Sequence, residues 1–235
     1  MLSDIQQAVR RIVAQLPEAE RFALAGGAAL IVSGVIDRLT KDLDFFTPYP
    51  NPVGGLAEAI QTALEDAGLA VVVVRASDTY AQLQVSSGGD TTNIDLASDH
   101  RMMDATPTET GYVLDVQELA ADKVLALEAR GVPRDYFDFA ALSRWYSIDQ
   151  MCQLAGQKDT GFDVDRLAGR LRRFSELAPE VFGLADEEYA DLGAAITGAL
   201  GDLEHLIAAQ EQRSAKRASD KDAGTARQSG HDIGL

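Results

Sequence analysis

Apolar residues along this chain recur with two periods, one typical of helices and one typical of strands. Near the N-terminus they follow helical spacing, which predicts an opening helix within residues 1–20. A short apolar segment at residues 22–25 predicts a strand that runs into two glycines, and residues 28–35 have the pattern of a compact helix. Residues 42–46 return to a strand pattern, so the first part of the chain is predicted to alternate strands and helices.

The middle of the chain continues this alternation and ends in a group of strands. A loop rich in proline and glycine at residues 47–55 precedes a helix predicted over residues 56–67. Three strands are then predicted, at residues 69–75, 79–86 and 91–97. The first is rich in β-branched residues, which indicates a buried strand, and residues 87–90 are typical of a hairpin turn. We expect these strands to form a mixed sheet.

From about residue 116 the patterns are helical, and the composition changes again near the C-terminus. Predicted helices cover residues 116–130, 134–145, 148–156, 162–177 and 186–212. After residue 212, small and charged residues dominate without apolar periodicity, which is typical of disorder. The predicted fold class is therefore α/β (α+β), with an α/β lobe at residues 1–115, a helical lobe at 116–212 and a disordered tail at 213–235.

Composition and charge limit the class of protein. The 235 residues are 46% hydrophobic and carry a net charge of −16, which argues against a general nucleic-acid coat protein but allows a local basic surface. The single cysteine, Cys152, excludes an intrachain disulfide. No signal peptide is expected at the N-terminus, and the longest apolar run, Leu69 to Val74, is too short to span a bilayer. We expect a cytoplasmic protein with no membrane partner.

The clearest chemical signals are a glycine pair and two nearby aspartates. Gly26 and Gly27 open a predicted helix, where the backbone can approach a phosphate closely. Asp42 and Asp44 lie two residues apart on a predicted strand, so both side chains point to one face of the sheet. Such a carboxylate pair can hold a hard divalent cation. Together these features suit a nucleoside triphosphate bound with Mg²⁺ or Mn²⁺.

The ordered set of these motifs resembles a known superfamily. Gly-Gly-x-Ala-Leu begins at Gly26, and Arg-x-Thr-x-Asp-Leu-Asp-Phe-Phe spans residues 38–46. This set resembles the DNA polymerase β nucleotidyltransferase superfamily and, within it, the AbiEii/AbiGii-type nucleotidyltransferase toxins, which include the MenT toxins of mycobacteria. The resemblance implies a polymerase-β-like palm, with Arg38 and Thr40 joining the glycines as nucleotide-binding residues.

The resemblance also implies a third carboxylate on a neighbouring strand, which completes the metal site and takes the proton from the attacking hydroxyl. Asp95 is the best candidate, because Ile94 and Leu96 face the core and leave Asp95 on the opposite face. The alternatives are that Asp95 is an exposed strand residue or that Asp99 performs this role. The expected metal ligands are therefore Asp42, Asp44 and Asp95.

A second pair of segments resembles the same family. Lys123 lies on a predicted helix and is followed by Arg-Asp-x-x-Asp, which spans residues 134–138. By resemblance, Lys123 neutralises the triphosphate and Asp138 is an active-site residue, with Arg134 and Asp135 next in line. The alternative is structural, because Arg134 and Asp138 are four residues apart on a helix and can pair on its surface.

A basic face is predicted on the helix around residues 165–177. Arg166, Arg170 and Arg173 share one side of it, and such a stripe on an acidic protein is a candidate RNA-binding surface. Solvated arginines, or arginines paired with nearby acids, are the more common arrangement and remain the alternative.

The expected activity is transfer of a nucleoside monophosphate from a triphosphate to an acceptor hydroxyl. The resemblance implies the toxin of a toxin–antitoxin or abortive-infection system, with a cognate antitoxin as partner and the tRNA 3′ end as the leading acceptor. Three alternatives remain. The acceptor is a small molecule of the aminoglycoside or lincosamide type, it is a protein hydroxyl, or the chain is a non-catalytic relative that only binds a nucleotide or partner.

Overall fold

The computed structural model describes the backbone of residues 1–228 and the side chains of residues 1–213 and 216. The strands of this part are β1 (Ala23–Ala25), β2 (Asp42–Pro48), β3 (Ala70–Ala76), β4 (Tyr80–Ser87), β5 (Asp90–Asp99), β6 (Thr106–Thr108) and β7 (Gly111–Val113). The α-helices are α1 (Asp4–Val13), α2 (Gly26–Val32), α3 (Gly54–Asp66), α4 (Val116–Ala129), α5 (Pro133–Leu142), α6 (Ile148–Lys158), α7 (Val164–Arg172) and α8 (Asp186–Gln228). Short 3-10 helices cover Pro17–Arg21, Arg173–Glu176 and Pro179–Phe182.

All seven strands join one sheet in the order β3-β4-β5-β2-β1-β7-β6. Strand β2 is parallel to β5, and β1 is parallel to β7, while the other neighbours are antiparallel. The predicted mixed sheet and α/β fold class are confirmed. Because β2 and β5 run parallel and side by side, any chemistry on their alternate residues is placed on one surface.

The register separates an apolar face of this sheet from a polar one. On the apolar face, fully buried side chains line up across strands β2, β5 and β4: Leu43, Ile94, Leu83, Leu96 and Ala81. Helices α1 and α3 pack against the strands, and α1 begins with a capping box between Ser3 and Gln6. The alternate residues on the same strands lie on the opposite face, and most of them are polar, among them Asp42, Asp44, Asn93, Asp95 and Gln82.

Strand β3 lies at the edge of the sheet and is not the buried strand that its sequence predicts. Three of its four valines are exposed, with Val72 at 58% and Val74 at 55% of their full accessibility. The prediction was wrong because β-branched residues favour an extended backbone equally at an edge and in the centre of a sheet. Strand β3 is therefore an edge strand, largely exposed to solvent.

The chain forms two compact units, and the first extends over Met1–Phe162. Helices α4, α5 and α6 belong to this unit, and α4 packs against α2. The predicted boundary at residues 115–116 therefore falls inside the first unit. The α/β part and the first helices of the predicted helical lobe have a common core, because α4 buries Leu119, Val124 and Leu127.

The second unit begins at Asp163, and its described elements are all helices. Helices α7 and α8 pack together, and an aromatic cluster of Phe174, Phe182 and Tyr189 closes one part of their contact, with ring centroids 5.2–5.4 Å apart. Helix α8 continues to Gln228, so residues 213–228 of the predicted tail are helical. Residues 229–235 of that tail lie outside the described part. None of the described helices is long and apolar enough to cross a bilayer.

An ion cluster ties α6 to α4 and to the end of β5 in the first unit. The Lys158 ammonium, only 5% exposed, lies 2.7 Å from Glu118, 2.5 Å from Asp122 and 3.0 Å from Asp99. Burial lowers the pKa of Lys158, but the three carboxylates outweigh it and raise the pKa well above its usual value. Burial raises the pKa of Asp122 to about 6, against the lowering effect of Lys158.

Candidate active site

Three carboxylates lie on the polar face of the sheet, on two adjacent strands. Asp42 and Asp44 alternate with buried residues on β2, and Asp44 is the register partner of Asp95 on β5. Burial raises the pKa of the Asp44 carboxyl to about 6; the charge of Lys123 opposes this effect, and Asp95 and Asp42 add to it. The structure therefore places the predicted aspartates on adjacent strands, in an environment where the negative charge of Asp44 is disfavoured.

The glycine pair lies directly against these carboxylates. Gly26 has a φ of +60°, and a Cβ atom at this position would lie 1.8 Å from Asp44 Oδ2. A Cβ at Gly27 would lie 3.1 Å from Thr40 Oγ1 and 3.3 Å from Arg38 Nη2. Any side chain at residue 26 would therefore displace Asp44, and the predicted nucleotide-binding residues form one group.

A buried carboxylate holds two cations beside this group. Asp138 on α5 is fully buried and accepts hydrogen bonds from Arg38 Nε at 2.8 Å and Nη2 at 2.7 Å. Lys123 on α4 lies 3.0 Å from the same carboxylate. The paired geometry of the Arg38 contact is the strong kind of charge-assisted hydrogen bond. Because two cations share one carboxylate, the group carries net positive charge.

The neighbours of Asp138 in sequence have other partners. Arg134 lies 3.5 Å from Asp42 Oδ2, so it pairs with the Asp-x-Asp strand and not with Asp138 as the alternative reading proposed. Asp135 is buried and accepts two hydrogen bonds from Arg130, at 2.8 and 2.9 Å, as well as the Val132 amide. Asp135 thus fixes the start of α5, and Arg134 contacts the candidate site.

Neutral hydrogen-bond donors orient the carboxylates of Asp42 and Asp95. The sequence analysis did not assign this role to the donors. Asn93 Nδ2 donates to Asp42 at 3.0 Å. The Tyr80 hydroxyl and Gln82 Nε2 donate to the same oxygen, Oδ1 of Asp95, at 2.5 and 2.8 Å. Burial and the hydrogen bond to Asp95 raise the pKa of Tyr80 to about 12, so its hydroxyl stays protonated as a donor. The alternation of Tyr80 and Gln82 on the neighbouring strand was the available signal.

The other predicted residues lie elsewhere. Asp99 pairs with Lys158 in the ion cluster, 3.0 Å away, which favours Asp95 over Asp99 as the third carboxylate. Arg166 and Arg170 are on α7 of the second unit, and Arg173 begins the 3-10 helix that follows. Arg173 lies 3.5 Å from Glu176, and the adjacent Arg172 lies 2.8 Å from Glu204. Acids therefore offset part of the basic face.

The donors at the site suit a divalent cation, although the carboxylates do not form a preorganised metal site. In the described part of the chain, no group of three or more histidine, cysteine, aspartate or glutamate residues converges closely enough to hold a metal ion. The donors on offer are carboxylate oxygens, the ligands that hard cations prefer. A cation would also offset the charge that burial disfavours on Asp44, so the residues fit such an ion.

The site combines a glycine turn against an Asp-x-Asp strand with a lysine and an arginine held by one buried aspartate, the arrangement that the motifs predict for a nucleotidyltransferase. Sequence comparison agrees, because the family model described as nucleotidyl transferase AbiEii toxin, type IV toxin–antitoxin system, matches residues 7–180. The chain belongs to this family. It is a nucleotidyltransferase toxin of a type IV toxin–antitoxin system, which confirms the family and enzyme class predicted from the motifs.

Solved structures share the fold at low sequence identity. JHP933 from Helicobacter pylori is 17% identical with a TM-score of 0.52, and the match covers 91% of this chain and 100% of that chain. MenT4, a nucleotidyltransferase toxin from Mycobacterium tuberculosis, is 14% identical with a TM-score of 0.50, covering 85% of this chain and 82% of that chain. A search of curated proteins found no match. At these identities the structural likeness concerns the fold.

Proposed function

We propose that this protein transfers a nucleoside monophosphate from a nucleoside triphosphate to an acceptor hydroxyl at the polar face of the sheet. The observation that carries the proposal is the register of Asp44 with Asp95, directly against Gly26 and beside the cations that Asp138 holds. Cations lie beside the carboxylates on the side of the glycine turn, and neutral donors contact Asp95 on the side of β4. This difference in charge suggests a different ligand for each side.

The triphosphate lies on the side of the glycine turn. Gly26 and Gly27 allow its phosphates to approach the backbone, and Thr40 offers a hydroxyl. Lys123 and Arg38 share the single charge of Asp138, so positive charge remains for the phosphates and for the departing pyrophosphate. Asp138 acts through these cations as a positioning residue, because its own carboxylate is fully buried.

The acceptor hydroxyl lies at Asp95. Tyr80 and Gln82 both donate to Oδ1 of Asp95, which leaves Oδ2 to accept the proton of the hydroxyl. Asp42, Asp44 and Asp95 would hold Mg²⁺ or Mn²⁺, which supplies Lewis-acid stabilisation of the transferring phosphoryl group when bound. The hydroxyl oxygen bonds to the α-phosphorus, and the bond from that phosphorus to pyrophosphate breaks.

The acceptor we favour is the 3′ end of tRNA, in the cytoplasm, and the toxin–antitoxin family implies a cognate antitoxin. The family membership supports an acceptor whose modification is harmful to the cell. An aminoglycoside or a protein hydroxyl would require the same carboxylates, so the acceptor must be identified by experiment. A non-catalytic role is disfavoured, because the glycine pair, the Asp-x-Asp strand and Lys123 form one group.

The deciding experiment is incubation of the purified protein and Mg²⁺ with each α-labelled nucleoside triphosphate. Total RNA, total protein and an aminoglycoside are supplied in separate reactions. We expect label on the 3′ end of tRNA, and a loss on the order of a thousandfold in Asp44→Asn, because that carboxylate would hold the cation. Asp66→Asn, a change of the same charge on an exposed helix residue, is the control. Label on no acceptor would refute the proposal.

A further inference from the structure

One arginine stands at the far end of the row of side chains that contains the candidate carboxylates. The register runs from Asp44 on β2 through Asp95 on β5 and Gln82 on β4 to Arg75 on β3. The Arg75 guanidinium lies 5.6 Å from the centre of the Tyr80 ring, and the Tyr80 hydroxyl donates to Asp95. Tyr80 therefore connects the third carboxylate with an exposed cation at the sheet edge.

A β-bulge is what places Arg75 on this face. The pairing of β3 with β4 shifts between Val73 and Arg75, where Val73 pairs with Leu83 and Arg75 pairs with Gln82. In a regular pairing without the bulge, Val74 would lie opposite Gln82 and Arg75 opposite Ala81, on the apolar side of the sheet. Bulges commonly re-aim a side chain beside an active site. The strand geometry thus places this arginine on the face of the sheet that carries Asp95.

Arg75 also differs from the other cations of the site in its partners. Lys123 and Arg38 share Asp138, and Arg134 lies near Asp42. Among the residues that the structure describes, Arg75 forms no ion pair with a carboxylate, and its side chain is exposed. Its contact with Tyr80 is a cation–π interaction, which leaves the planar edge of the guanidinium able to bind an anion.

We propose that Arg75 binds a backbone phosphate of an RNA acceptor whose terminal hydroxyl lies at Asp95, with the Tyr80 ring as part of the same contact surface. The inference rests on the proposed function, because it needs the triphosphate on the glycine side and the acceptor on the β4 side. Arginine binds phosphate through paired hydrogen bonds, and arginine and aromatic side chains stack on unpaired bases. A cationic aminoglycoside would be repelled here.

The test compares Arg75→Ala with Arg11→Ala, which removes the same charge from an exposed residue of α1 on the other side of the sheet. Transfer to RNA is measured at several RNA, triphosphate and salt concentrations. For Arg75→Ala we expect the KM for RNA to rise on the order of tenfold, as for a lost charge-assisted hydrogen bond. The KM for the triphosphate should be unchanged, and Arg11→Ala should resemble the wild type.

Direct binding of a single-stranded RNA with a free 3′ hydroxyl, followed by fluorescence anisotropy, separates this inference from catalysis. The slope of log affinity against log salt should decrease by about 0.7 in Arg75→Ala, as for one lost phosphate contact on a single strand. Equal affinities and slopes in wild type and Arg75→Ala would overturn the inference, and so would transfer to a protein or small molecule only. RNA binding that depends on Arg75, without any transfer, would refute the proposed function and retain only the phosphate contact of Arg75.

Discussion

Gly26 and Asp44 depend on each other, because a Cβ atom on residue 26 would lie 1.8 Å from the Asp44 carboxylate. The turn from β1 into α2 and the Asp-x-Asp strand are therefore one structural element, although 18 positions separate these residues. The glycine makes room for the carboxylate, and its positive φ makes the turn. A substitution at residue 26 changes the site directly.

Gly26→Ala should reduce transfer by a hundredfold or more, because a displacement of about 1 Å in a reacting group has effects of that order. The unfolding free energy should fall by more than the roughly 1–2 kcal/mol of left-handed backbone strain alone. Gly88→Ala is the matched control, since Gly88 has nearly the same φ, +59°, and a Cβ there meets nothing within 4 Å. Equal activity in the two variants would contradict the steric role of Gly26.

Lys123→Met should weaken triphosphate binding while the protein stays folded, because Arg38 still neutralises the buried Asp138. Asp138→Asn should destabilise the protein more than Lys123→Met does, since it leaves two cations without their shared carboxylate. Removing one partner of a buried ion pair costs about 3–5 kcal/mol of stability. Chemical denaturation and triphosphate titration on both variants check this order. Equal destabilisation by the two substitutions would show that Lys123 has mainly a packing role.

Tyr80→Phe should lower kcat by roughly 10–100-fold, the usual effect of removing a group that orients a metal-site carboxylate. The KM for RNA should be nearly unchanged, because the ring that forms the cation–π contact with Arg75 remains. Steady-state kinetics with Tyr112→Phe, on an exposed tyrosine of β7, provides the control. If Tyr80→Phe changed only the KM for RNA, the role of Tyr80 would be to bind the acceptor and not to orient Asp95.

The part of the site that the sequence predicts depends on short-range regularities. The two-residue spacing of Asp42 and Asp44, and of Asn93 and Asp95, specifies the face of a strand whatever its neighbours are. The glycine pair likewise predicts a turn. These local signals, together with the ordered motifs, were sufficient for the fold class and the family.

The part that the sequence does not predict depends on contacts between distant segments. Asp138 pairs with Arg38, 100 residues away, whereas the pairing that sequence spacing offered as an alternative was with Arg134. The edge position of β3 and its bulge also depend on which strands become neighbours, which composition does not encode. The same reason explains why α4 packs against α2 inside the first unit, although the predicted domain boundary lay just before α4.

The ion cluster around Lys158 predicts a dependence of stability on pH. Burial raises the pKa of Asp122 from 3.8 to about 6, so the folded protein binds this proton more tightly than the unfolded chain does. The contribution of Asp122 to stability is then greatest below pH 4 and is lost as the pH rises to about 6. The shift corresponds to about 3 kcal/mol of unfolding free energy.

Asp122→Asn cannot ionise, so the unfolding free energy of the wild type minus that of Asp122→Asn should fall between pH 4 and pH 6 and be level above pH 7. Urea denaturation at intervals across this range measures the difference, and Asp66→Asn, an exposed residue at the end of α3, accounts for the change in net charge. A difference that rises with pH would mean that Lys158 stabilises the ionised form of Asp122 by more than burial disfavours it. The cluster would then act as a net ionic attachment of α6 to α4, and its loss should be most harmful at neutral pH.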